Sequence, residues 1–485
     1  MSPIITIITL IGYMLLLFCA AYISGRDADN RGFFIGNRRT TWYMATLAMI
    51  GAAMSGVTFI SIPGSVAVDK FSYMQMVVGF TIGQLIVAFV LIPIFYKRGV
   101  VSLYEYLDQR FGVTTHRTGA ICFMVSKLIG ASLKIYVVCA VMQLLVFDYF
   151  NLSFISNVAL TMLIVWLYTH RGGVRSLILT DSIQSLCLVS SIVVVIYYLC
   201  QSMNLSLAEA YENIANSSYS QMWFFDDASS PRYFWKMVAG GALSLVAMTG
   251  LDQDMMQRNM SCRTVGDSQI NIVLTAICQI FVILLFLSLG VLLYQYIDYA
   301  GLQMPSRGDD VFGAVAVRGG LPLAAGVMFV TGLISSTYSA AGSALTSLTT
   351  SFTLDILDSS RFDAKRITKI RNITHIVMAV AITMVILVFH YLATDSVINL
   401  VFKVAGYTYG PILGLFAFGI LSKRGVRQRY VPIVAILSPL LSYALQWVVA
   451  TKFDYFIGFE LLGYNALFTI FGLIIISQKK NDKVS

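Results

Sequence analysis

Charge is scarce in this 485-residue chain: Asp, Glu, Lys and Arg together make up 12% of it, about half the share carried by a typical globular protein. That scarcity excludes an ordinary soluble enzyme. The motifs of common enzyme chemistries are missing as well: there is no His-Glu-x-x-His, Gly-x-Ser-x-Gly, phosphate-binding loop or Cys-x-x-Cys. No segment between apolar runs is long enough for a catalytic domain. The cysteines Cys19, Cys122, Cys139, Cys187, Cys200, Cys262 and Cys278 are odd in number and sit mostly inside apolar runs. They read as small hydrophobes and not as a disulfide framework or metal site. The first apolar run, Ile4 to Ile23, lacks the basic start and small-residue cleavage pattern of a signal peptide, so it is expected to be retained.

What the chain does have is apolar length. It is 58% hydrophobic, with a mean hydropathy of +0.78. Thirteen apolar runs fall near 4–23, 42–66, 72–96, 118–147, 153–169, 174–200, 234–256, 269–297, 321–349, 372–392, 396–421, 430–450 and 459–477, most of them near the roughly 20 residues a helix needs to cross a bilayer. An all-α polytopic membrane protein is expected. If alternate loops lie on alternate sides, one side collects 24 of the 33 Lys and Arg and the other six. By the positive-inside rule the N-terminus is then outside and the C-terminus, with Lys479, Lys480 and Lys483, cytoplasmic. The net charge of +9 is thus dispersed among loops, which argues against nucleic acid as a partner.

Two runs contain stretches that a plain lipid-facing helix would avoid. The second reads Gly51-Ala52-Ala53-Met54-Ser55-Gly56-Val57-Thr58 before Pro63-Gly64, and the seventh reads Gly240-Gly241 and then Thr249-Gly250-Leu251-Asp252-Gln253-Asp254. Close helix packing through small residues would explain either one alone. With the first helix set aside, however, runs two to six and seven to eleven form two sets of five, each opening on such a stretch. An odd offset inverts the second set, and matched interruptions in inverted halves point to a secondary transporter with discontinuous helices. The expected segmentation is an N-terminal helix and loop (1–40), a first five-helix repeat (41–200), an outside loop (201–233), a second repeat (234–422) and two C-terminal helices with a tail (423–485).

Within the apolar runs a few polar residues stand out. Asp181 lies inside the sixth, where an unpaired carboxylate is costly. Ser335 and Ser336 in the ninth, with carbonyls freed on a facing broken helix, would form a neutral five-oxygen cage suited to a hard cation such as Na+. Lys134, deep in the fourth, suggests either an anionic substrate group or an ion pair with Asp181. The histidines His116, His170, His375 and His390 are read as unpaired residues near run ends, without a metal or proton-relay role.

Several segments together resemble the sodium/solute symporter family, nearest to its sialic-acid branch: Met54-Ser55-Gly56 with Pro63-Gly64, Glu105 to Gly112, Tyr168 to Gly173, Thr180-Asp181 with Gln184, Asp252-Gln253 with Gln257-Arg258, Ser335-Ser336, and Thr353-Leu354-Asp355. The resemblance implies a five-plus-five inverted-repeat (LeuT-type) core with an extra N-terminal helix and two C-terminal helices, thirteen transmembrane helices in all. Carried over, the main Na+ site takes the carbonyls of Gly51, Met54 and Gly332 and the hydroxyls of Ser335 and Ser336. A second Na+ site would use Asp181, Ser335 and Ser339, although Tyr338 replaces a serine there. Ser55 and Thr58 resemble carboxylate contacts and Phe71 and Gln75 second-helix contacts of the sialic-acid branch, and Lys134 stands where that branch has an arginine. Lysine keeps the charge and loses the bidentate fork.

The expected function is Na+-coupled import of a small organic solute, an anionic carboxylate or acidic sugar such as sialic acid, across a bacterial inner membrane by alternating access. A neutral sugar, polyol or amino acid is the alternative cargo; a sensor or an uncoupled channel is the alternative class. The chain ends at Ser485 without room for a signalling domain, which argues against the sensor. A single chain in the bilayer, with Na+ and solute as its partners, is expected to suffice.

Overall fold

The computed structural model describes all residues except 1–2, 27–28, 359–361, 393–396, 454, 456 and 479–485. The tail lysines counted in the orientation argument therefore lie outside the described residues. The chain is helical nearly throughout, as expected of a backbone that must satisfy its own hydrogen bonds in hydrocarbon. In order come α1 (Pro3–Gly25), α2 (Asn30–Ile35), α3 (Trp42–Ala53), α4 (Gly56–Asp69), α5 (Tyr73–Arg98), α6 (Glu105–Phe111), α7 (Val113–Phe150), α8 (Phe154–Thr169), α9 (Val174–Ser202) and α10 (Leu207–Ala215). Then follow α11 (Phe234–Gly250), α12 (Gln253–Met260), α13 (Val265–Ala300), α14 (Gly308–Gly313), α15 (Leu323–Ile356), α16 (Ala364–Leu392), α17 (Val397–Thr408), α18 (Gly410–Leu421), α19 (Val431–Phe453) and α20 (Leu461–Ile475). One departure from an all-α chain is a two-residue antiparallel ladder, β1 (Gly425–Val426) with β2 (Ser477–Gln478), which ties the end of α20 to the loop after α18.

Among the described residues eight helices are long and apolar enough to cross a membrane, and ten if each of two bent pairs counts as one span. The bent pairs are α3 with α4, at 60°, and α11 with α12, at 67°. They are the two runs whose small and polar stretches predicted interruption. The remaining predicted runs fall on shorter apolar helices, α8, α18 and α20.

The burial pattern is that of a bundle in lipid. Ile8, Leu15, Phe281, Met384 and Trp447 are each at least 60% exposed, whereas α15 buries every hydroxyl from Ser335 to Thr353. The helix α9 packs between α3 and α15, α5 packs along α11, and α13 along α4. Small residues let these backbones meet. A Cβ added at Gly79 of α5 would stand 2.2 Å from the Val238 carbonyl, and one at Gly241 of α11 would stand 2.5 Å from the Met76 carbonyl. In lipid, where there is no hydrophobic drive between helices, such close approach carries much of the association.

Gly79→Ala should therefore force α5 and α11 apart and lower stability by about 1–3 kcal/mol, seen as a lower melting temperature of the detergent-solubilised protein. Gly12, which has nothing within 4 Å of an added Cβ, should tolerate the same change.

Candidate ion and substrate site

The first break is set by two residues that leave helical geometry. Met54 closes α3 by donating its N–H to the Ile50 carbonyl at 3.0 Å, and Met54 and Ser55 then run extended, with ψ of 89° and 167°. The carbonyls of the last α3 turn, from Gly51 to Met54, thereby lose their next intrahelical donors. Ser55 restarts the chain as the N-cap of α4, its Oγ accepting from the Thr58 N–H and lying 3.3 Å from Thr58 Oγ1. Glycines seat this break between α9 and α15. A Cβ at Gly51 would stand 2.5 Å from Ser185 Oγ and 2.9 Å from the Asp181 carbonyl, and one at Gly56 would stand 3.5 Å from Ser336 Oγ.

Across from the break, Ser335 donates to the Thr331 carbonyl at 2.6 Å and Ser336 to the Leu333 carbonyl at 2.8 Å. Both hydroxyl hydrogens turn back onto α15, so the oxygen lone pairs remain for another ligand. Gly332, one turn earlier, packs against the Ser191 hydroxyl and the Phe59 ring. The junction thus brings the α3–α4 break up against the α15 turn that carries the two serines.

The second break places charge in the bundle. A π turn, Val246–Gly250, precedes it, and Asp252 caps α12 by accepting from the Asp254 N–H at 2.8 Å. Lys127 of α7 reaches both carboxylates, at 3.2 Å to Asp252 and 2.6 Å to Asp254. Tyr409 adds a hydroxyl to Asp252 at 2.5 Å. One turn into α12, Arg258 is 1% exposed. It holds Asp254 Oδ1 at 2.5 Å and Asp181 Oδ2 at 2.7 Å, and it also donates to the Ser343 hydroxyl. Asp181 Oδ1 accepts from Ser339 at 2.8 Å.

Asp181, one of the two partners expected for Lys134, is therefore paired instead with Arg258, which lies just beyond the seventh apolar run. Asp181 and Ser339 do come together, but both Asp181 oxygens are already engaged. At Tyr338, the backbone carbonyl accepts from Tyr168 and the side chain lines an apolar cavity against α1, α7 and α8.

Between the two breaks lies a cavity of about 140 Å³, lined by Ser55 and Thr58, by Lys127 and Lys134, and by Asp252 and Asp254. Tyr73 and Phe80 of α5 form part of its wall. Phe71 and Gln75 do not reach it. Gln75 is fully buried, and its amide donates to the Arg232 carbonyl at 2.8 Å and accepts from the Phe224 N–H at 2.9 Å. The Phe71 N–H bonds to the Gln221 carbonyl at 3.1 Å. Both residues pin the 201–233 loop, because the chain turns at Lys70, where φ is 52°, before α5 begins.

Sequence reasoning missed the charged group of Lys127, Asp252, Asp254 and Arg258. One available signal was the seven-residue spacing of Lys127 and Lys134, two turns along one helix face; the other was the acidic pair straddling the second break. The histidines also differ from expectation. His116 Nε2 lies 2.9 Å from Asp355, and His375 is buried between Thr169 and Thr349, at 2.9 and 2.8 Å.

The sodium:solute symporter family model matches residues 33–428. The chain belongs to the sodium:solute symporter family. Like other members of that family, it is similar to curated transporters: it is 24% identical over 411 residues to the sodium-coupled monocarboxylate transporter 2 of Danio rerio, covering 81% of this chain and 63% of the relative. It is 22% identical over 434 residues to the sodium/sialic acid symporter SiaT of Proteus mirabilis, covering 86% and 84%. The symporter-family chain therefore spans less than two thirds of the length of its monocarboxylate-transporter relative. A solved Na+-coupled sialic acid symporter in a substrate-bound outward-open state shares the fold, with a TM-score of 0.81 at 18% identity, covering 98% of this chain and 99% of that one.

Arg258→Gln leaves Asp181 buried beside a neutral group and should cost about 3–5 kcal/mol, much of which Asp181→Asn in the same chain should restore. Thermal unfolding of the two single variants and the double variant checks the coupling. Gln75→Leu should loosen the 201–233 loop, seen as faster protease cleavage there, while leaving solute affinity unchanged.

Proposed function

We propose that this chain is a Na+-coupled symporter that imports a small anionic carboxylate by alternating access. The observation that carries the anionic cargo is Lys134. Lys127 and Arg258 share three carboxylates, whereas Lys134, on the wall of the same cavity, has no ion pair among the described residues. A cation so deep in the membrane needs a partner, and a substrate carboxylate supplies one. Ser55 and Thr58 offer hydroxyls beside it. Na+ is the co-substrate, held by the carbonyls of Gly51, Met54 and Gly332 and the hydroxyls of Ser335 and Ser336. Its filling the junction between the first break and α15 favours the state that accepts solute.

Cavity size favours the smaller end of the cargo range. About 140 Å³ is close to the roughly 150 Å³ of an engineered cavity that holds benzene. A short monocarboxylate fits that space directly; an acidic sugar such as sialic acid would need the walls to part. The monocarboxylate and sialic acid transporters among the relatives support both ends of the range.

Thirteen transmembrane helices in a five-plus-five inverted LeuT-type layout belong to the same reading, as do an outside N-terminus, a bacterial inner membrane and a chain that works singly. The matched bends of α3–α4 and α11–α12 support the repeat layout. A second Na+ at Asp181 and Ser339 would have to share Asp181 with the Arg258 guanidinium. Energetically, one Na+ entering with a monoanion moves no net charge, so a tenfold Na+ ratio supplies about 1.4 kcal/mol. A second ion would add about 2.3 kcal/mol per 100 mV.

Uptake into proteoliposomes under an imposed Na+ gradient tests the reading. Short monocarboxylates and sialic acids are expected to compete for Na+-driven uptake, and Ser335→Ala/Ser336→Ala should abolish the Na+ dependence. Lys134→Ala should cut uptake of the carboxylate at least tenfold, about 1.4 kcal/mol, with far less effect on any neutral solute. Equal losses for both would rule out the carboxylate contact.

A further inference from the structure

Three polar side chains from three helices meet on the α1 side of the serine pair, and two of them make no hydrogen bond of normal geometry among the described residues. Gln184 of α9 is 1% exposed, and neither its amide oxygen nor its amide nitrogen is in hydrogen-bond geometry with any described group. The Tyr13 hydroxyl of α1 is likewise unpartnered, on a side chain 6% exposed. Tyr13 faces Gln184 and Ser335, with Cys187 and Asp181 as its next neighbours. In a protein interior nearly every such group is paired, and in hydrocarbon no bulk water is at hand to satisfy it.

The character of the cluster indicates the ligand. Gln184 Oε1, Tyr13 Oη and Ser335 Oγ are uncharged oxygens. Ser335 spends its hydrogen on the Thr331 carbonyl, so its oxygen can only accept. The nearest charged group, the Asp181 carboxylate one turn before Gln184 on α9, is already paired with Arg258 and Ser339, so the cluster itself is electrically neutral. A set of neutral oxygens that shares Ser335 with the sodium cage favours a hard cation over an anion. A cation that keeps a water also satisfies the Gln184 Nε2 donor side through that water, which a bare ion would leave unpaired. The packing of α1 against both α9 and α15 brings Tyr13 to this place, so the helix outside the two repeats contributes to ion handling.

We propose that Tyr13 and Gln184 form, with Ser335, a resting station for a partly hydrated Na+ ion beside the main sodium cage. This rests on the reading of Ser335 and Ser336 as cage ligands. Gln184 and Tyr13 are positioning residues for the ion and touch no solute.

Titration of the purified full-length protein with NaCl, at ionic strength held constant with choline chloride and read as a shift in melting temperature, tests the station without a solute. Gln184→Leu, of similar size and without polar atoms, should raise the half-saturating Na+ concentration about tenfold, the scale of losing an outer-shell metal partner. Tyr13→Phe, which removes only the hydroxyl, should raise it by a smaller factor. Both variants should also change the Li+ to Na+ preference. A Gln184→Leu protein that melts higher without Na+ and titrates at the wild-type Na+ concentration would show a merely packed amide and overturn the proposal. Should Gln184→Leu not fold, wild-type titration and ion preference in Tyr13→Phe would overturn it equally. Ser335→Ala separates the two readings. If it weakens Na+ binding while Gln184→Leu and Tyr13→Phe do not, the station falls and the cage stands; if Ser335→Ala also titrates as wild type, the cage falls as well.

Discussion

An ion inside a bilayer has to be answered by an opposite charge or by a ring of dipoles, and much of this architecture follows from that requirement. Arg258 is the residue on which it converges. Its guanidinium joins Asp254 on its own helix, Asp181 on α9 and Ser343 on α15, so three elements of the bundle meet at one buried cation. Lys127 extends the network to Asp252 and through it to Tyr409. Removing either cation would leave carboxylates uncompensated in a medium that solvates them poorly, which makes the network a constraint on how α7, α9, α12 and α15 can be arranged.

The two helix breaks are the complementary device. At the α3–α4 break a helix gives up backbone hydrogen bonds to expose carbonyls; at the α11–α12 break it places carboxylates at a capped helix start. Neither would be tolerated facing lipid. Both are buried against partner helices, one by glycine-mediated contact with α9 and α15, the other by Lys127. The cavity lies between them because that is where the backbone has stopped being a continuous cylinder. Family membership and the shared fold with a solved sialic acid symporter accord with this geometry.

The network also bears on coupling. Asp181 touches Ser339 on the serine-rich helix and, through Arg258 and Asp254, connects to the cavity wall at Lys127. The serine-rich face of α15 and the cavity wall at Lys127 thus sit at opposite ends of one chain of charges. Movement of α12 relative to α9 would have to break Asp181–Arg258, and so changes in either site bear on the same contact.

The amino-acid sequence by itself determined the helical class, the approximate positions of the spans, both interruptions and the serine pair. Each is a local property: apolar length sets a span, and a run of small and polar residues inside one cannot remain a lipid-facing helix. Pairing was not legible. Asp181 and Arg258 are 77 positions apart, and nothing in either neighbourhood says that they meet while Lys134 stays clear of both; a positive-inside count even placed Arg258 in a loop. Gln75 and Phe71 pack on the 201–233 loop because the chain turns at Lys70, which alternation of apolar and polar residues does not reveal. Which side chain satisfies which charge is decided only when the helices pack, since the cost of burying an ion is settled by whatever group ends within a few ångströms of it, however distant in the chain.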